Sequence, residues 1–579
     1  VCVRGGGGGG GRGGGRGKTE NGAVAHPSTK SACLDLFVSG LLRDSGESKS
    51  VEMFQDAWKE DAAVALKIIM HARDCRGGKG ERKCVFNVMK WLRKNKPRTY
   101  AGNLQKFVDL GCFRDLLELA PDENEEKAGG NKEVIELELF AETLQKDLAS
   151  LKEKREENND DGKNKSEGKE AKSADDVGKE KAKKKGTSIT LAAKWAPSEG
   201  SKFDKSKKLS KRLAAHMFPD DEAYRATYRK SVSSLRKKIN LIETRMSKGE
   251  WKRIDFSKVP SRAHNLYKSA FRKHAAEEYE AYCDDVAKGK KKINSKGMQP
   301  HELVNYFLKH KLAPKGEAGE WSCSACTFLN PEDAHSCTIC GAPKPATVSN
   351  TDDGKTVELQ WKALVDDLRK AGHLKDAVAV SDVSGSMEGV PMQVSIALGI
   401  LIAQLSDKPF QGRLITFSEK PSWHKVPVES GSLEKMVDDV SKMSWGNSTD
   451  MEGVFNLILD VATECKLPQE ALPKTLFVFT DMQFNEAKKA NDKYTTIYDT
   501  AKAKFSAAGY ELPTVVFWNL RSAESSFPVD KDAPGVVMVS GFSSDVLKAL
   551  MKGDKLPTPY TLMMKSVEKY EVDVDPKEK

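Results

Sequence analysis

The sequence predicts a multidomain protein with three parts: an α-helical, repeat-like N-terminal half, a small four-cysteine module, and a C-terminal doubly wound α/β domain. Three observations lead there. Apolar residues recur at helical spacing through most of residues 30–312. Four of the 11 cysteines crowd into Cys323–Cys340. After Lys375, short apolar runs alternate with helical patterns, as in a mostly parallel sheet covered by helices. A chain of 579 residues has room for three or four such units, at about 100–200 residues each.

The N-terminus comes first. Gly5–Gly17, with Arg12 and Arg16, has nothing to bury. Residues 1–29 are therefore expected as a disordered Gly/Arg-rich tail, similar to the RGG segments of RNA-binding proteins. Residues 30–155 form the first helical part: Val64, Leu66, Ile68 and Ile69, then Phe86, Val88, Met89 and Leu92, keep a helical period. Leu137, Leu144, Leu148 and Leu151 share one side of a further helix. Residues 156–186 are a Lys/Glu/Asp-rich linker with almost no large apolar residue. A second helical part covers 187–318. The glycines of "RGGKG" (Arg76–Gly80) fit a tight turn between two helices; no strand precedes them and G-x-x-x-x-G-K-[ST] is absent, so nucleotide binding is rejected. Arg73, Arg76, Lys79 and Arg82 beside this turn are read as a solvated face, with a basic RNA groove as the alternative.

Residues 319–345 hold two C-x-x-C pairs, Cys323/Cys326 and Cys337/Cys340. Four thiolates so spaced suit tetrahedral zinc, and a stretch this short needs metal binding to supply its folding free energy. Residues 346–372 are a linker and connecting helix, 373–552 the α/β domain, and 553–579 a C-terminal tail. Strands are expected at Ala377–Val380, Arg413–Phe417, Thr475–Thr480, Thr514–Trp518 and Gly535–Val539. Helices are expected at Gln393–Leu405, Met451–Cys465 and Tyr498–Ala508. In such sheets ligands bind beyond the carboxyl ends of the strands. "SDVSGSM" places Asp382, Ser384 and Ser386 there, Asp481 follows a later strand, and Thr449 lies in a loop between them. Two carboxylates and three hydroxyls are hard oxygen ligands for Mg²⁺ or Mn²⁺, here expected on a surface loop. No histidine stands out to activate the serines and G-x-S-x-G is absent, so no enzymatic activity is expected.

The wording "DVSGSM … STDMEGVF … FTDMQF" resembles the von Willebrand factor A domain and its metal-ion-dependent adhesion site, closest to the TROVE (Ro autoantigen) branch. That resemblance implies a Rossmann-like fold with Asp382, Ser384 and Ser386 in its first ligand loop, Thr449 in the second and Asp481 in the third. "ARDCRGGKGERKCVFNVMKWL", "TLAAKWAPSEGSKFDKS" and "KVPSRAHNLYKSAF" resemble a plant and fungal domain-of-unknown-function family that joins a TROVE-like helical half to a von Willebrand A half. The spacing from Trp321 to Cys340 looks like a zinc finger of the nuclear-pore Ran-binding-protein class (NZF-like), inserted between those halves. In that class Trp321 and Asn330 are scaffold positions. Ubiquitin-binding members carry the equivalents of Thr327, Phe328 and Ile339. The absence of arginine near Cys337 counts against RNA as the finger's ligand.

The resulting expectation is a non-enzymatic adaptor whose finger recognises ubiquitin or another protein and whose α/β domain binds a protein through a metal ion. An RNA-binding protein resembling the Ro autoantigen is the alternative. The net charge of +10 suits acidic partners such as RNA. The longest apolar run, Val394–Leu405, is too short to span a bilayer, which needs about 20 residues. No secretory pattern appears and the other cysteines are scattered, so an intracellular site, cytoplasmic or nuclear, is expected.

Overall fold

A computed structural model describes residues 17–122, 134–163, 189–312, 320–322, 329–331, 334, 336, 338, 351–372, 374–417, 420–443, 449–485, 496–522, 526–551 and 558–579. They form two compact units. One joins residues up to Val88 with Asp255–Lys577; the other is Met89–Ile254. Among the described residues, no helix is long and apolar enough to cross a membrane.

The described residues begin with a two-stranded ladder, β1 (Gly17–Lys18) against β2 (Val24–Ala25), with Ala23 and Ala25 buried. Residues 17–29 are thus not part of a disordered tail. Small apolar residues bury there without a long side chain, a signal composition conceals. Helices α1 (Glu47–Glu60), α2 (Ala62–Arg73) and α3 (Lys83–Asn95) follow. Asp61 starts α2 by accepting from Val64 N at 2.9 Å, a standard N-cap. The Arg76–Gly80 turn lies between α2 and α3.

Within the second unit, α4 (Pro97–Leu110) precedes the long α5 (Ile135–Lys163), which runs eight residues into the stretch expected as linker. Leu137, Leu144 and Leu151 are buried and Leu148 is half-buried, as the periodicity requires. Asp147, also buried, accepts from Thr190 N at 2.9 Å and Thr190 Oγ1 at 2.6 Å. Helices α6 (Leu209–Met217) and α7 (Tyr224–Lys238) complete the longer elements of this unit.

The first unit resumes with α8 (Ser261–His274), α9 (Ala276–Ala287), α10 (Pro300–Leu312) and α11 (Thr351–Ala371). Between the last two lies a short antiparallel ladder, β3 (Glu320–Ser322) with β4 (Leu329–Pro331), which sets Trp321 opposite Asn330. Then come β5 (Ala377–Asp382), α12 (Val390–Leu405), β6 (Arg413–Phe417), β7 (Trp423–Lys425), α13 (Leu433–Ser441), α14 (Met451–Glu464), β8 (Thr475–Thr480), α15 (Ile497–Ala507), β9 (Thr514–Asn519), β10 (Val536–Ser540), α16 (Asp545–Met551) and α17 (Pro559–Val567).

The strands form one sheet in the order β10-β9-β8-β5-β6-β7, parallel except at β7. The chain leaves β5 toward β6 and later returns to the other side of β5 with β8. The carboxyl ends of β5 and β8 therefore flank the topological switch point, where open α/β sheets leave a crevice. Helix α12 is apolar almost all round because it is covered on both sides, by the sheet and by α10 and α11. Burying Ile396, Leu398, Ile400, Leu401, Ile402 and Leu405 contributes on the order of 10 kcal/mol. A Cβ on Gly399 would sit 2.4 Å from Ser381 Oγ, so only glycine allows so close an approach to β5.

Two expectations about domain boundaries are corrected here. Residues 30–88 do not belong with a separate helical domain: the Leu36–Gly40 turn lies over the carboxyl ends of β9 and β10. Asn519 Nδ2 donates to Val38 O at 3.2 Å, and Ser540 Oγ donates to Phe37 O at 2.9 Å. Residues 553–579 are not a plain tail. Helix α17 buries Leu562, Met563 and Val567, and Tyr570 after it is buried as well.

Candidate metal centre

Strand β5 reads AVAVSD and is buried along its whole length, so its last residue, Asp382, is carried inside at the switch point. The expectation that Asp382 occupies a surface loop is wrong: it is fully buried. Its Oδ1 accepts from Ser384 N at 2.9 Å and its Oδ2 from Thr480 Oγ1 at 2.9 Å. The chain then turns through a short 3-10 segment, Gly385–Met387, which brings Ser384 Oγ and Ser386 Oγ to 3.0 Å. Ser384 is buried and Ser386 is exposed, so this loop leads from the interior to the surface.

Asp481 is the first residue past β8, on the neighbouring strand, and is buried. Its Oδ1 accepts from Gln483 N at 3.0 Å. Met482 between them sits at φ 65°, the left-handed region that non-glycine residues avoid. Thr449 is buried and tied to the same loop: its Oγ1 donates to Gln483 O at 2.6 Å, and Asn485 N donates to Thr449 O at 3.2 Å. Asp450, next in sequence, caps α14 by accepting from Gly453 N at 2.7 Å.

Burial, and then the charge of Asp481, push the Asp382 carboxyl up to about 7. Two carboxylates with no cation between them repel, and a bound cation would remove that cost. The donor set, two carboxylates and three hydroxyls, fits a hard divalent ion. Among the described residues no group of three or more His, Cys, Asp or Glu could hold a metal; this site has only two carboxylates and draws its other donors from hydroxyls.

Sequence reasoning missed the residues that brace the site. Thr480 holds Asp382. The Asp481 loop is clamped from the N-terminus: Thr19 Oγ1 donates to Phe484 O at 2.6 Å, Asn21 Nδ2 to Gln483 O at 2.8 Å and Glu20 N to Gln483 Oε1 at 2.8 Å. No local signal could have found partners more than 460 residues away.

The expected finger ligands Cys323, Cys326, Cys337 and Cys340, and the patch Thr327, Phe328 and Ile339, lie outside the described residues. So do residues 1–16 of the Gly/Arg-rich segment. The reading of Arg73, Arg76, Lys79 and Arg82 as a solvated face, or a basic groove, is corrected for Arg73 and Lys79, whereas Arg76 is exposed and Arg82 half-buried. Arg73 and Lys79 are buried, Lys79 with its ammonium donating to Phe37 O and to Ser540 Oγ.

The fold and this loop set define a class: an α/β sheet domain with paired carboxylates at its switch point, joined to helical segments. Residues 19–136 and 132–374 match the family model described as Domain of unknown function (DUF2828). Residues 376–579 match Domain of unknown function (DUF7788). The chain belongs to the DUF2828 family. It is similar to "Uncharacterized protein L728" of Acanthamoeba polyphaga mimivirus, 34% identical over 574 residues that cover 95% of this chain and 87% of the relative. Among solved structures it matches the Deinococcus radiodurans RO (RSR) protein at 14% identity over 94% of this chain and 100% of that one, with a TM-score of 0.29.

Proposed function

We propose that this chain is a non-enzymatic binding protein whose α/β domain, of von Willebrand A type, grips a protein partner through a divalent cation. The observation that carries this is the placement of two buried carboxylates, Asp382 and Asp481, at the ends of adjacent strands at the switch point, next to the paired hydroxyls of Ser384 and Ser386. Asp382, Ser384, Ser386, Thr449 and Asp481 would hold Mg²⁺ or Mn²⁺. The ion supplies a positive charge that a carboxylate of the partner can complete. The chain's own part is to hold the oxygens in place through Thr480, Gln483 and the Thr19–Asn21 clamp, and to present Ser386 at the surface. The test is affinity capture from native extract with the full chain, in Mg²⁺ and in chelator. Partners should be retained by the wild type in Mg²⁺ and lost both in chelator and from Asp382→Ala. The same partners captured without divalent cation would overturn the reading.

The finger supplies a second surface in this proposal. Cys323, Cys326, Cys337 and Cys340 hold structural Zn²⁺, and Thr327, Phe328 and Ile339 meet an apolar patch on ubiquitin. Support comes from the paired C-x-x-C spacing and from the ladder that sets Trp321 opposite Asn330. A patch this small gives weak binding, on the order of 10–1,000 µM, that gains from avidity. Ubiquitin titrated into labelled protein should shift Phe328 resonances in the wild type and not in the Thr327→Ala, Phe328→Ala double variant. Unchanged spectra at about millimolar ubiquitin would remove ubiquitin as the ligand.

One observation favours RNA as a second reading. Residues 189–254 hold 17 lysines and arginines against seven aspartates and glutamates, so this segment alone equals the whole chain's +10. If it contacts phosphates, affinity for structured RNA should fall steeply with salt. Absence of binding at low salt by protein that retains residues 1–18 would exclude it.

A further inference from the structure

Within the second unit, α7, residues 197–199 and the short helix Ile242–Ser247 border a cleft of about 380 Å³. Sites for small organic ligands run from about 300 to 1,000 Å³, so this cleft has room for a whole molecule. Its buried lining is apolar, from Pro197, the Tyr228 ring and Val232. Tyr228 spends its proton on Pro197 O at 3.0 Å, which leaves the ring as a surface for an organic group.

The charged lining is unbalanced. Helix α7 reads YRATYRKSVSSLRKK, six cations and no acid. Three of those cations, Arg229, Arg236 and Lys237, line the cleft against one carboxylate, Glu199. Both oxygens of Glu199 are taken at the other end of the cleft: Arg225 bonds to Oε1, and Arg229 donates to Oε2 at 2.5 Å. Arg236 and Lys237 are therefore unanswered.

Arg236 is fixed in place. Its Nε donates to Ala193 O at 2.8 Å, one terminal nitrogen to Ala196 O and the other to Ser198 Oγ at 3.1 Å. A guanidinium has five N–H groups, so each terminal nitrogen keeps one for a ligand. Burial pushes Arg236 below its ordinary value, and Tyr228, not a carboxylate, is what acts in the opposite sense. Lys237 is exposed, with no hydrogen bond or ion pair among the described residues. Two adjacent cations without a counter-charge suit a dianion. A carboxylate answers one of them; a phosphate monoester carries about −1.5 to −2 and three acceptor oxygens. Inorganic phosphate would match the charge but leave the apolar lining in water.

We propose that this cleft binds a phosphate monoester, its phosphate held by Arg236 and Lys237 and its organic part against Pro197, Tyr228 and Val232. The site needs no polynucleotide and so goes beyond the RNA reading of the same segment. The phosphate can belong to a free sugar phosphate or nucleotide, or to the 5′ end of an RNA. The probes are ribose 5-phosphate and uridine 5′-monophosphate, with uridine and inorganic phosphate as half-matches, each titrated into the full chain by calorimetry at pH 8, where the monoesters are dianions. At least one monoester should bind, and uridine and inorganic phosphate should bind at least about tenfold more weakly. Lys237→Ala, an exposed change that leaves the fold intact, should weaken binding by about tenfold, the size of one charged hydrogen bond. Lys238→Ala, the next residue but outside the cleft lining, should bind like the wild type. A 5′-phosphorylated hexauridine that binds tighter than the monoesters, and loses that gain with its 5′-phosphate, identifies RNA as the source; otherwise the source is a free monoester. The proposal is overturned if neither monoester binds by about 10 mM, if uridine or inorganic phosphate binds as well, if Lys237→Ala binds like the wild type, or if Lys238→Ala weakens binding as much. Structured RNA that binds at low salt while neither monoester does would remove this site and leave the RNA reading standing.

Discussion

Asp382→Asn offers a test with opposite signs in two conditions. Asp382 is buried beside Asp481 and its carboxyl is raised from 3.8 to about 7. Because the folded value lies above the unfolded one, the folded chain holds the proton more tightly between those limits. Stability is lost as pH rises through that window, and the cost is complete above about 7. A gap of about three units corresponds to roughly 4 kcal/mol. Asparagine is uncharged and keeps an oxygen for Ser384 N, but must rearrange its bond with Thr480, a loss of about 1 kcal/mol. In chelator at pH 8, Asp382→Asn should therefore be more stable than the wild type by about 2–4 kcal/mol. With Mg²⁺ at about 100 times its dissociation constant, the wild type should recover about 2.7 kcal/mol and the variant almost nothing. Urea unfolding read by hydrogen exchange in peptides covering β5 and β8 measures both. If Asp382→Asn is the less stable protein in chelator, or if Mg²⁺ stabilises the two equally, the reasoning is refuted.

Other expectations are shorter to state. Gly78→Ala puts a Cβ 2.0 Å from His71 O and displaces the turn in which Lys79 N donates to His71 O and Glu81 N to Ala72 O; urea unfolding should show a loss of about 3 kcal/mol, and a loss below about 1 kcal/mol would contradict the packing. Burial is the chief cause that lowers His301 to about 3. The unfolded chain then takes up that proton first, and stability falls as pH drops below about 6.5. Between pH 6.5 and 5, the wild type should lose about 2 kcal/mol more than His301→Leu; Glu81, raised to about 7 mainly by burial, acts in the opposite direction in both proteins and cancels. Cys337→Ala should lower bound zinc from about one ion per chain to none and leave hydrogen exchange in β5–β10 unchanged, as metal analysis of the purified chain would show.

The parallel strands were legible because strands buried on both faces read as unbroken apolar runs, and β5, β8, β9 and β10 are such runs. The short β7, half-exposed at the sheet edge, has no such signal and went unread. Helix α5 could be read from its leucines, but its last two turns are charged and looked like linker. The carboxylate site was legible as a set of residue types at strand ends. Its depth was not, since hydrogen bonds from Ser384 and Thr480 let a charged residue lie fully buried. Lys79 looked like surface for the same reason: Phe37 O and Ser540 satisfy an ammonium that composition would leave in water. The cover that residues 19–45 lay over the sheet's carboxyl edge depends on contacts such as Thr19 with Phe484 and Val38 with Asn519, which no periodicity encodes.

The central claim is that the switch point of the β5–β10 sheet holds a divalent cation. Mn²⁺ binding to the full chain, followed by electron paramagnetic resonance and competed with Mg²⁺, tests it most directly. The account predicts about one displaceable Mn²⁺ per chain in the wild type and none in Asp382→Ala or Asp481→Ala, with both variants folded. Mn²⁺ bound equally by the wild type and either variant would contradict it.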